Sequence, residues 1–167
     1  MTTVVLRPNA TDSNTLWGFA SGATGSAHAA TADELDTSYI DSLAGGVRTI
    51  VLGLGTSALP AGAVTKAVKV DVRVRGNSSS FTTFSLALAG VSILGTRAEY
   101  TTGLGAAWFA GSTGLLAATL SQTQIDALQV LLTTTFNDQQ FSRVAVDVMY
   151  VAIPVVAVTA VTPDPYT

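Results

Sequence analysis

Few residues in this sequence have the type and spacing to do chemistry. The chain has one histidine, His28. A serine–histidine–aspartate arrangement would have to use it. It lies in a run of Gly, Ala and Ser, and no Gly-x-Ser-x-Gly elbow surrounds any serine. His28 therefore reads as an exposed loop residue. With one histidine and no cysteine, a zinc site lacks ligands and a disulfide framework is impossible. Four acids, Asp33, Glu34, Asp36 and Asp41, lie close together around Tyr39 and Ile40. Such oxygens could hold calcium or, as a pair, serve glycoside hydrolysis. Their spacing does not follow an EF-hand loop, and no second acid cluster answers them. They read as a solvated acidic turn before a strand, with calcium as the alternative. Gly53-x-Gly55 and Gly103-x-Gly105 lack the third glycine and the following helix of a dinucleotide site and read as turn glycines. No catalytic residue, cofactor or metal is expected, and the chain reads as a non-enzyme.

The aromatic residues offer a different chemistry, stacking on a sugar ring. Trp17 and Trp108 are the two tryptophans. A tryptophan in a small β-domain usually belongs to the core. Trp108 sits amid glycines, which places it on a loop. With Tyr100 and Phe109 it forms the candidate glycan contact.

The elements that must position these residues are strands. Val68 to Arg75 alternates valine with charge, the pattern of a strand with one face in a core and one in water. Gly76 to Ser80 reads as its turn, and Phe84, Leu86 and Leu88 as the next strand of a hairpin. Val47–Leu54, Val91–Leu94, Leu115–Leu120 and Gln129–Phe136 are further strands. Arg143–Val151, with Val144, Val146, Val148 and Tyr150 on one face, reads as the partner of Gln129–Phe136 across a turn at Asn137-Asp138. Thr2–Arg7 is β-prone and stopped by Pro8; Asn9–Asn14 reads as turn. Ser121-x-x-Gln124 has capping-box spacing, so one helical turn through about Ala127 is the single helix expected. Short strands between glycine turns predict an all-β, jelly-roll-like antiparallel β-sandwich over residues 1–153, with one short helical turn.

Residues 154–167 read as an extended C-terminal arm. Val155, Val156, Val158 and Val161 form an apolar run after Pro154, and Tyr166 lies in a proline-stiffened tail. Such a run adds a strand to its own sheet or pairs with a neighbouring subunit; the break at Pro154 favours the arm. Charged residues are only 11% of the chain, below the usual quarter. That fits either a surface covered by copies of itself, a homo-oligomer such as a trimer, or a Ser/Thr-rich exterior. A net charge of −3 argues against a nucleic-acid partner. Lys66, Lys69, Arg73 and Arg75, interrupted by Asp71, read as a solvated strand face. The most apolar stretch, Val144–Val161, holds Asp147 and Pro154 and does not read as a membrane helix.

Several stretches together resemble a β-sandwich module of tailed-bacteriophage virion proteins, as in actinobacteriophage minor tail and capsid-surface proteins. They are Leu6-Arg7-Pro8, Trp17, Asp36-Thr37-Ser38-Tyr39-Ile40, Leu59-Pro60-Ala61-Gly62-Ala63, the valine–charge strand, Leu120-Ser121-x-x-x-Ile125-Asp126-x-Leu128-x-Val130 and Arg143-Val144-x-Val146-x-Val148-x-Tyr150-Val151. The resemblance spans Leu6 to Val151. It implies a jelly roll placed in a virion, on the capsid surface or in the tail, with the major capsid protein or another virion protein as partner. It transfers no catalytic residue. The expectation is a non-enzymatic capsid decoration protein that stabilises the assembled shell by binding it. The alternative is a minor tail or carbohydrate-binding module that contacts host surface glycans.

Overall fold

The valine–charge strand forms and is longer than its alternation. In the computed structural model, β6 runs Val64–Gly76. Val68, Val70, Val72 and Val74 are all buried, each at most 2% exposed. The description covers residues 1–19, 26–32, 37–43, 45–76, 80–88, 92–101, 107–135 and 138–153. Within them lie β1 Thr2–Leu6, β2 Pro8–Thr15, β3 Trp17–Phe19, α1 Ala27–Ala32, β4 Ile40–Ser42, β5 Arg48–Leu54, β6, β7 Ser80–Leu88, β8 Ser92–Thr101, β9 Phe109–Ser112, β10 Leu116–Ala117, α2 Gln122–Asp126, β11 Leu128–Thr134 and β12 Gln139–Val151. The arm residues Val155, Val156, Val158, Val161 and Tyr166 lie outside them.

Two sheets face each other. One runs β10-β6-β12-β4-β3, with β1 added to β12 and β9 to β6; the other runs β2-β5-β11-β7-β8. The ladders that join them are antiparallel. The core lies between the inner faces. β6 and β12 supply valines and Phe141, and β5 and β11 supply Ile50, Leu52, Val130 and Leu132. Each such side chain contributes about 1.5–3 kcal/mol on burial. Gly95 on β8 lets the sheets approach closely: a Cβ there would stand 2.3 Å from Leu116. The fold is the antiparallel β-sandwich that the spacing of strands and turns predicts.

Connectivity differs from the expectation in two places. β6 and β7 are not a hairpin; β6 pairs β12 while β7 pairs β11 and β8. Likewise β11 and β12, though separated by only a few residues, lie in opposite sheets. In each case consecutive strands lie in opposite sheets. β11 and β12 each bury an apolar face, and lying in opposite sheets puts those faces against each other rather than side by side. Arg7-Pro8 is a third crossover, from β1 to β2, tied by the Gly55 amide donating to the Arg7 carbonyl at 2.8 Å.

Three local readings also change. Asn9–Asn14 is strand, not turn. Among the described residues β2 is an edge strand paired to β5 alone, with two register shifts, so polar side chains toward water are tolerated there. Leu115–Leu120 contributes only the two-residue β10. A second helix, α1, stands where a loop was expected. Its Ala27, Ala30 and Thr31 are buried, the i, i+3, i+4 face of a helix, and Ser26 precedes it with Oγ accepting from the Ala29 amide at 3.4 Å. The expected helix is α2, Gln122–Asp126. Ser121 Oγ accepts from the Gln124 amide at 3.3 Å and the Gln124 side chain accepts from the Ser121 amide at 2.9 Å.

Candidate functional site

The ladders carry one row of side chains across the outer face of the seven-stranded sheet. Asp41 on β4 is level with Gln140 on β12, and Gln140 with Arg75 on β6. Val74 is level with Phe109, which brings the preceding residue, Trp108, beside Arg75. Ile40, Phe141 and Val74, the sequence neighbours of this row, are all buried in the core. Strand alternation therefore turns the row outward.

At the β9 end of the row two aromatic rings meet. Tyr39 and Trp108 stand edge-to-face, centroids 5.9 Å apart and planes at 64°. The Arg75 guanidinium lies over both, 5.0 Å from the Tyr39 centroid and 4.5 Å from that of Trp108. Both contacts fall within cation–π range. Arg75 Nε donates to Gln140 Oε1, and Gln140 Nε2 donates to Asp41 Oδ2 at 3.3 Å. The chain of contacts ends at Asp41 Oδ1, which is buried and has no hydrogen-bond partner among the described residues. Burial raises the Asp41 pKa above its ordinary 3.8, the charge of Asp138 adds to that, and the Gln140 and Arg75 contacts only partly oppose it. The row thus offers two half-exposed rings, a fixed guanidinium and an amide on one face, closed at one end by the buried Asp41 carboxyl.

Of the candidate glycan contacts Tyr100, Trp108 and Phe109, the structure places Trp108 in this row and the other two outside it. Phe109 shares the register of Val74, not of Arg75, and is 44% exposed on the other side of its strand. Tyr100 lies on β8 in the opposite sheet, level with Phe81. Tyr39, not Tyr100, is the partner ring. A signal was present: Tyr39-Ile40-Asp41 alternates outward, inward, outward.

The other candidates fall elsewhere. His28 is in α1, not in an exposed loop. Its Nδ1 is 3.2 Å from Thr11 Oγ1 and its Nε2 3.2 Å from Ser26 Oγ, and the Thr11 hydroxyl also accepts from the His28 amide at 3.3 Å. These contacts tie α1 to β2. Trp17 is core, 4% exposed and edge-to-face on Phe141 at 5.8 Å. Gly53 lies inside β5 rather than in a turn, and a Cβ there would meet the Asp12 carboxylate at 2.9 Å. Asp33, Glu34, Asp36, Gly103 and Gly105 lie outside the described residues. Among the described residues no three His, Cys, Asp or Glu side chains group as metal ligands, and no helix is long and apolar enough to cross a membrane.

No protein-family model matches the sequence, and no curated protein does. Solved structures do match. The C-terminal CBM6 of LamC, a laminarinase of Zobellia galactanivorans, is 12% identical with a TM-score of 0.55, covering 89% of this chain and 100% of that module. Two CBM35 modules are more distant in shape. That of Paenibacillus barcinonensis is 15% identical with a TM-score of 0.47 (92% and 100% covered), and that of Clostridium thermocellum 14% identical with a TM-score of 0.48 (87% and 98%). The chain has the jelly-roll sandwich fold of the LamC module.

Proposed function

We propose that this protein is a carbohydrate-binding module and that the Tyr39–Trp108 pair with Arg75, Gln140 and Asp41 is its ligand site. The edge-to-face ring pair on the outer sheet face carries the reading. A sugar offers apolar C–H faces and a rim of hydroxyls. Rings supply area for the first, and convergent planar polar groups satisfy the second. The likeness in fold to the LamC module supports the reading. Binding occurs without turnover; cleavage of a bound glycan by the isolated chain would overturn that part.

A panel of immobilised polysaccharides tests the proposal. Wild type is retained on at least one of them. Trp108→Ala and Tyr39→Ala each lose retention while melting near the wild-type temperature. Retention that survives both substitutions sinks the site.

A second reading concerns where the module works. Leu16 and Leu43, each at least 40% exposed, sit together beside the β3–β4 ladder, where the Leu43 amide donates to the Leu16 carbonyl at 2.9 Å. An apolar edge of this kind suits burial against another subunit. It favours a place in an assembly, such as the phage capsid surface or tail that the sequence resemblance implies. Mass spectrometry of purified virions checks this: many copies per particle support decoration, a handful support the tail, and absence rejects both.

A further inference from the structure

A sheet edge is a row of backbone donors and acceptors, and native chains protect it with charge, proline, bulges or brevity. The edges of this sandwich differ in that respect. β2 carries Pro8, Asp12 and two register shifts. β8 carries Arg97 and Glu99, and its ladder to β7 has a shift. β3, β9 and β10 are three, four and two residues long. β1, Thr2-Thr3-Val4-Val5-Leu6, has no charge, no proline and an unbroken register to β12. Among the described residues it pairs β12 and no other strand. Thr2, Thr3 and Val5 are exposed, Val5 at 46%. Val4 is only partly buried, although its register partner Val148 is core. We propose that the β1 edge receives a further strand, residues 155–161 of a second copy of this chain, in antiparallel pairing.

The segment suits that edge by its sequence. Residues 155–161 read Val-Val-Ala-Val-Thr-Ala-Val, uncharged, without proline and rich in β-branched side chains. Both phases of a strand with this sequence are apolar, so it needs cover on both faces and a partner along its edge. Beside β1 one phase meets Val4 and the other Val5. The segment has seven residues and β1 five, so it covers the edge whole. Position decides whose segment it is. Thr2 is level with Tyr150, so β12 delivers the chain to the start of β1, and Pro154 alone separates Ile153 from the segment. From there a chain folding back along its own β1 runs parallel to it. Antiparallel pairing starts at the Leu6 end, about 14 Å away, which one proline does not bridge. A second copy meets no such limit, and antiparallel ladders are slightly the stronger. A two-fold arrangement, in which each copy gives its segment to the other's β1, closes on itself and leaves neither edge open. The contact is independent of the Tyr39–Trp108 pair and of the saccharide reading.

The chain has no cysteine, so engineered cross-links report the pairing without background. Thr3→Cys or Val5→Cys is mixed with Val156→Cys or Val158→Cys, each in the whole chain. Opposed residues of an antiparallel pair stand within disulfide reach. At least one mixture gives a dimer that reductant dissolves. Wild type sediments with the mass of two copies at micromolar concentration. Thr3→Lys/Val5→Lys places its charges at exposed positions, so the sandwich still folds, and the dimer dissociates roughly tenfold more readily. Val156→Asp/Val158→Asp weakens it from the other side. Wild type that sediments as a monomer overturns the proposal. So does a dimer that both charged variants leave intact, or the lack of a cross-link in every mixture. A link that forms within one chain of Val5→Cys/Val158→Cys, but not between mixed variants, overturns it in favour of a strand that the segment adds to its own sheet.

Discussion

The outer face of the seven-stranded sheet has two ends built from similar residues that do different work. At one end Lys69 is held between Asp71 and Asp147, a local triad. Both acids hydrogen-bond the ammonium and hold its pKa above the ordinary value. At the other end Arg75 lies over two rings, and the polar chain it starts finishes on a buried carboxyl oxygen with no partner among the described residues. The first end answers its own charges. The second leaves polar groups and aromatic surface for something else. Both belong to the same pair of strands, β6 and β12, so strand pairing does not separate them. What separates them is the neighbour. Beyond Asp147 lies Val5 of β1, whereas the Gln140–Arg75 row is flanked by Asp41 of β4 and by Trp108.

Substitutions at the two ends should give opposite readouts. The largest effect is expected from Trp108→Ala. Calorimetry with a bound oligosaccharide should show about 2 kcal/mol of lost affinity, the scale of a buried aromatic anchor, with the melting temperature almost unmoved. At the other end, Lys69→Met should lower stability in urea by about 1 kcal/mol, because two half-buried carboxylates then face each other unanswered. Affinity should not change. If Lys69→Met instead abolished binding, the division between the ends would be wrong. Arg75→Lys keeps the charge but loses the planar fork over the rings, and should weaken binding about threefold.

The smallest effect is expected at Asp41 and is one of sign. Its folded pKa is raised above 3.8, so its contribution favours folding below that pH and is lost as pH rises through the raised value. Asp41→Asn should therefore melt at or above wild type at neutral pH, and the two curves should converge in acid. A variant less stable at neutral pH would show that the carboxylate is held by contacts stronger than those it makes with Gln140 and Arg75.

Where a rule is local, the sequence was a good guide. Two-residue alternation put the valines of β6 and of β12 inside, and serine three residues before glutamine placed α2. The same logic failed where polar composition overrode position. Asn9–Asn14 looks like turn, but as an edge strand it needs only one paired side. The alanines of α1 gave no apolar stripe to read, yet they are the small side chains that let a helix dock against β2 and β12. For the candidate site, Trp108 could be picked from its glycine setting. Tyr39 shows the outward phase of its strand but could not be set above Tyr100 on that alone, because what selects it is which sheet each strand joins.

What the sequence alone determined is the all-β character, the inward faces and the capped turn, since each follows from repeats of two to four residues. The tertiary structure decided that β6 pairs with β12 rather than β7, and that β11 and β12 part to opposite sheets. Those choices maximise burial between faces distant in sequence. They alone bring residues 39, 41, 75, 108 and 140 into one row, because register, unlike alternation, is set by the partner strand.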